Sequence, residues 1–342
     1  MRVNVVAERR IECFIVIAHK RKLSSGAIAE KPESEELKFD LVQINHDIGK
    51  NRSNGKKYAD SFSYFENAIA SLENLRRQNP NKTDILKLLG DCRIQFAVAL
   101  SWEERQKEAE TEATKAIEMF EAATAGNPND INLRTGLWTA YWLTSSVYEE
   151  QNDQLSHEYA LKALKIIEET VRQDAANVRT KQQMAKSFSR IGQTSINTGD
   201  LPAAILNLEK AQQILSEITA TRAKNNGLKT ELTTVLMRLG EAKFKQEKFA
   251  DALADFEQAV KIHQDILQTN AGDVRVSRNL ALTYESIAET HEKIGGEKSP
   301  SARENYQKCL DILVQLEAQN ALSEFDRKFL ERIKKSLQKF DK

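Results

Sequence analysis

The stretch Leu239–Ala259, LGEAKFKQEKFADALADFEQA, decides how this chain is read. Small residues stand at Gly240, Ala252 and Ala259, with Phe244, Phe249 and Phe256 between them. Apolar positions continue at Val260, Ile266 and Leu267, with Ile262 and His263 falling between them, a stripe near 3.6 residues per turn. The pattern predicts two helices joined by a short turn, close together where the side chains are small.

Working outward, the landmark FEQA that ends this stretch recurs. FENA (65–68), ATKA (113–116), ALKA (160–163), LEKA (208–211) and YQKC (306–309) complete a set of six. Their last residues, Ala68, Ala116, Ala163, Ala211, Ala259 and Cys309, are all small and lie 48, 47, 48, 48 and 50 apart. A second small position, Gly49, Ala97, Ser145, Gly192, Gly240 and Ala288, precedes each by 18 to 21 residues. Turn-forming runs separate the units: Asn79-Pro80-Asn81, Asn127-Pro128-Asn129-Asp130, Asp174 to Asn177, Asn225-Asn226-Gly227 and Asn270 to Asp273. Each unit therefore reads turn, helix A, short turn, helix B. Asp200 before Leu201-Pro202, and Ser299 before Pro300, mark helix starts. Ser101 and Glu104 have capping-box spacing for helix B of the second unit, at a junction without Gly or Pro.

Gly240, Phe244, Phe249, Ala252, Phe256 and Ala259 resemble a tetratricopeptide repeat, residue type for residue type. Ile191-Gly192 through Ala204, Leu208 and Ala211 is similar. The period departs from that family's usual value of about 34 residues, and the surplus adds roughly 10 Å to each helix. Arrays of this longer type resemble those that follow the kinase domain of some bacterial serine/threonine kinases. HEAT repeats, the rival architecture, have a similar period but not the Gly–Ala–Ala spacing. The resemblance implies an all-α protein: an α-solenoid of antiparallel helix pairs, stacked as a tetratricopeptide-like superhelix. Residues 1–31 read as a leader, 32–320 as six helix-pair units and 321–342 as a C-terminal capping helix.

Composition excludes several classes. The 342 residues carry 50 Lys plus Arg against 50 Asp plus Glu, so no basic excess points to nucleic acid or an anionic membrane. With 13 Gly and 5 Pro the chain is too poor in turn residues for a β fold. Cys13, Cys92 and Cys309 are odd in number and far apart, which argues against disulfides or a zinc site. The longest early apolar run, Cys13–Ala18, is too short to cross a bilayer. A cytoplasmic protein without a membrane anchor is expected.

Catalytic signatures are missing from the sequence. It has no HRD, DFG or GxGxxG, and the run Gly49 to Lys57 departs from a P-loop in glycine spacing and in Lys57. None of His19, His46, His157, His263 and His291 has a second ligand at helical spacing, so no metal or cofactor is expected. What remains is a surface. In tetratricopeptide arrays helix A lines the groove, and that register implies partner contacts at Trp142, Ser146, Ser189, Gln193, Met237, Glu241, Glu285 and Glu289. It also points to His46, Lys50, Ile94, Val98 and Glu292. Trp138 and Trp142 lie four apart on one helix face, and Glu285, Glu289 and Glu292 form an acidic stripe. The expected function is a non-enzymatic scaffold binding a peptide or helix of a protein partner. The alternative is a regulatory component of a bacterial kinase signalling system.

Overall fold

The computed structural model describes residues 35–54, 57–80 and 82–341. The leader 1–31, Cys13, His19 and most of the P-loop-like run lie outside the described residues or their described side chains. Thirteen α-helices occur among the described residues, and no strand. They are α1 (Glu35–Asn54), α2 (Phe62–Gln78), α3 (Thr83–Trp102), α4 (Gln106–Gly126), α5 (Ile131–Val147), α6 (Asp153–Gln173) and α7 (Val178–Thr198). Then follow α8 (Leu201–Thr221), α9 (Asn226–Lys245), α10 (Phe249–Thr269), α11 (Val274–Gly295), α12 (Pro300–Ala318) and α13 (Glu324–Gln338). Consecutive helices pack in pairs, an all-α architecture of the solenoid class. The chain divides into two compact units, Met1–Thr180 and Lys181–Lys342, with the dividing point in the first turn of α7.

The small positions do what their size suggests, against a partner that the repeat does not name directly. A Cβ built on Gly192 would meet Leu208 Cγ at 2.4 Å, and one on Gly240 would meet Phe256 Cε1 at 2.4 Å. On Gly49 it would stand 3.0 Å from Phe65. Leu208, Phe256 and Phe65 are each the first residue of the four-residue landmark. Where that residue is instead Ala113 or Ala160, the matching helix A position is Ala97 or Ser145. At the three glycine crossings the bulk therefore sits on one helix and the space on the other. The landmark's last residues, Ala68 through Cys309, are all 0% exposed.

From Asp130 onward the turns between pairs cap the helix that follows, whereas α3 starts after Lys82 with no side-chain cap. Asp130 Oδ1 accepts from the backbone N–H of Asn132 at 2.8 Å and of Leu133 at 3.2 Å. Asn225 accepts from Leu228 at 3.1 Å and Asp273 from Val276 at 3.1 Å, each satisfying an amide the helix leaves open. Asp200 and Ser299 cap α8 and α12 as their place before a proline predicts.

The turns within pairs use a different device. Helix A passes into a left-handed residue at Glu104 (φ 59°), Glu150 (φ 70°), Gly199 (φ 85°), Glu247 (φ 61°) and Gly296 (φ 82°). At Glu104 the Arg105 N–H returns to the Leu100 carbonyl and the Glu104 N–H to Ser101, the Schellman pattern. Glu247 repeats it, with the Lys248 N–H on Lys243 and the Glu247 N–H on Phe244. The capping box expected at Ser101 and Glu104 is therefore corrected. Ser101 lies inside α3 and donates its hydroxyl to the Val147 carbonyl at 3.2 Å, while α4 begins after Arg105 with no side-chain cap. The final helix, α13, does open with a capping box, formed by Ser323 and Asp326.

Candidate groove in the second unit

The site is built by helix A of two successive pairs, α9 and α11, with the intervening α10 behind them. Gly240 lets α10 close onto α9, and this brings Phe256 and His263 of α10 to the back of the space between α9 and α11. Two recesses result. One, of about 220 Å³, gathers Met237, Glu241 and Glu289 with Phe244, Phe256 and Ser286. The other, of about 210 Å³, shares Met237 and adds Thr234, His263, Asn279 and Leu282. Arg238 borders both and holds the adjacent helix A, donating to Ser189 Oγ at 2.8 Å.

Three of the expected contact residues, Met237, Glu241 and Glu289, thus share one recess. The others stand elsewhere. Ser189 is buried and committed to Arg238. Glu285 is buried and accepts a two-pronged bond from Arg332 Nε and Nη2, both at 2.9 Å. Gln193 is half-buried and donates to Asn197 at 3.1 Å. Trp142 and Ser146 belong to the first unit and are half-buried; Trp142 stacks on Trp138 with centroids 5.8 Å apart. Trp138 itself is core. Ile94 and His46 are buried and Val98 packs against the core, whereas Lys50 is exposed.

Electrostatics separate the carboxylates. Glu241 pairs with Lys245 at 2.9 Å. Glu289 keeps solvent contact, yet the protein around it, and then the Glu285 charge, raise its pKa above the usual carboxylate value. His263 is 1% exposed, neither ring nitrogen has a hydrogen-bond partner, and burial lowers its pKa to about 4. The ring is neutral at pH 7, with one donor and one acceptor unused.

Sequence reasoning placed His263 between stripe positions, and this is corrected: Ala259, His263 and Ile266 follow i, i+4, i+7 spacing and are all buried. That spacing was the available signal. Nothing local marks Arg238 or Asn279, whose roles depend on which helix comes next. Burial raises the thiol pKa of Cys92 and of Cys309, the reverse of what a nucleophilic cysteine requires. No group of three or more metal-ligating side chains occurs among the described residues.

A profile described as tetratricopeptide repeat matches residues 232–270, which span most of α9 and all of α10. The chain carries tetratricopeptide repeats. Comparison with curated proteins finds no match. Among solved structures, the tetratricopeptide array here is similar to BtubC from P. vanneervenii, at 16% identity and TM-score 0.58, over 76% of this chain and 93% of that one. The apo form of RapI is similar at 14% identity and TM-score 0.54, over 95% and 85%. A signal-transduction ATPase with numerous domains and a tetratricopeptide repeat sensor, from Pyrococcus horikoshii, is similar at 14% identity and TM-score 0.51. The alignment covers 97% of this chain and 48% of that protein. At such identities the likeness is one of fold. A repeat scaffold of this kind is typical of protein–protein interaction, and no described helix is long and apolar enough to cross a membrane.

Proposed function

We propose that the chain is a non-enzymatic scaffold that binds a peptide or helix of a protein partner in the groove between helices A of successive pairs. The observation that carries this reading is the pair of recesses between α9 and α11, which bring Met237, Glu241 and Glu289 together. Such a groove places scattered side chains on rigid helices, so affinity comes from a few anchored contacts. Trp142 and Ser146 on α5 offer a second contact surface, within the first unit. The reading carries with it a cytoplasmic, bacterial setting, which the buried free thiols of Cys92 and Cys309 fit. The kinase-linked alternative keeps the same groove and makes the partner a kinase or its substrate; the long repeat period supports it.

Affinity capture from native lysate tests the proposal, comparing wild type with the charge-reversed Glu241→Lys/Glu289→Lys protein. A partner held by wild type and lost by a variant with unchanged thermal unfolding supports the groove. The same partners on both proteins would sink it.

A further inference from the structure

This inference rests on the groove reading above and names the chemistry of the segment that the groove takes. The His263 recess has Met237 and Leu282 as apolar walls and a neutral, unpartnered imidazole at its base. Its 210 Å³ is many times the roughly 10–15 Å³ of such space that one water needs, so it has room for a large side chain. A buried polar group without a partner destabilises the free protein, and a ligand that bonds it removes that penalty. The occupant must therefore be apolar along its length and polar at its tip. A phenol meets both demands, since its hydroxyl both donates and accepts.

The neighbouring recess asks for a cation. Phe244 and Phe256 offer ring surface to an aliphatic stem, and Glu289 stands at the mouth with no cationic side chain bonded to it among the described residues; Arg238, which borders the recess, bonds Ser189, and Arg332 bonds Glu285. Two neighbouring acidic groups are engaged, Glu285 with Arg332 and Glu241 with Lys245. From Thr234 to Glu241 on α9, and from Leu282 to Glu289 on α11, the recesses are offset by seven residues. Seven helical residues rise about 10 Å, the length of about three residues of extended chain.

We propose that the two recesses are subsites for one extended segment of a partner protein. A tyrosine enters over His263, and a lysine or arginine three positions along lies on Phe244 and reaches the Glu289 carboxylate.

The test uses the full chain and acetylated Gly/Ser peptides carrying one Tyr and one Arg, set one to five positions apart, with affinity read by fluorescence anisotropy. Binding should be tightest at a separation of three. Glu289→Gln should weaken the Arg peptides about fivefold and leave their Gln counterparts unchanged. His263→Phe should erase the preference for Tyr over Phe. Should that core variant misfold, Thr234→Trp at the exposed rim closes the same recess and should erase it instead. Absence of binding at every separation, or binding that neither Glu289→Gln nor Thr234→Trp alters, overturns the proposal. A captured partner lost by Glu241→Lys/Glu289→Lys, with no Tyr–Arg preference in the peptides, would remove this inference and leave the groove standing.

Discussion

Phe256 stands where a side chain on Gly240 would begin: its Cε1 lies 2.4 Å from the place of a Cβ, far inside contact distance. The ring is itself 3% exposed, so it cannot swing into solvent. Gly240→Ala should therefore cost about 1–3 kcal/mol, visible as a lower urea midpoint at unchanged slope. Combined with Phe256→Ala, Gly240→Ala should cost less than the sum of the two single losses, because the second pair already matches Ala97 with Ala113. Additive losses in the double variant would contradict the account.

The left-handed glutamates give a prediction of opposite sign. Glu247 holds φ 61° at the end of α9, in a Schellman turn that glycine adopts without strain. Glu247→Gly should stabilise the protein by about 1 kcal/mol, and Gly199→Ala at the matching turn should destabilise it. Thermal unfolding of both variants gives the signs.

Acidification should act through His263. With a folded pKa of about 4 against an ordinary 6.5, the unfolded chain takes up its proton first as pH falls. The contribution of this group is full above pH 6.5 and is lost on the way down to pH 4, at about 1.4 kcal/mol per pH unit. The unfolding free energy of wild type minus that of His263→Phe should fall from pH 7.5 through 6 to 5. Parallel curves would mean that the imidazole takes up its proton alike in the folded and the unfolded chain, and would contradict the account.

The last described α-helix, α13, has its own pH limit, set lower. Asp326 is fully buried; burial opposes its charge, but hydrogen bonds from Arg278 and Ser323 outweigh it and hold the pKa below 3.8. Its support of α13 is thus present above pH 3.8 and fades only as pH drops through the lower folded value. At neutral pH Asp326→Asn should cost about 2–3 kcal/mol. Amide exchange should quicken in α13 before it does in α9 or α10.

How much of this was readable depended on the range of the interaction involved. The pairing of α9 with α10, and of α7 with α8, rests on spacings inside one repeat, so Gly192, Gly240 and the alanines disclose it. Asp200, Asp273 and Ser299 disclose helix starts because capping is local chemistry. Glu104, Glu150 and Glu247 disclose nothing, since glutamate is a good helix former and carries no turn signal. Ser101 and Glu104 were misread as a cap for that reason. That Met237, Glu241 and Glu289 line one recess follows their shared register on successive helices A. Ser189 and Glu285 share the register but are spoken for by Arg238 and Arg332, from helices that no local pattern connects to them.

Phe120 adds a constraint of another kind. Its ring is fully buried, and a Cβ on either Gly90 of α3 or Gly136 of α5 would stand 2.3 Å from it. One side chain on α4 is thereby wedged into both of the flanking first helices. Repeat arrays are treated as modules that can be cut, duplicated or exchanged at the turn between units. A cut at Asn127 would strip one wall from Phe120, and a foreign unit grafted there would have to bring a glycine at the position of Gly136. The second and third units are in that sense a single heritable block, to be gained or lost together.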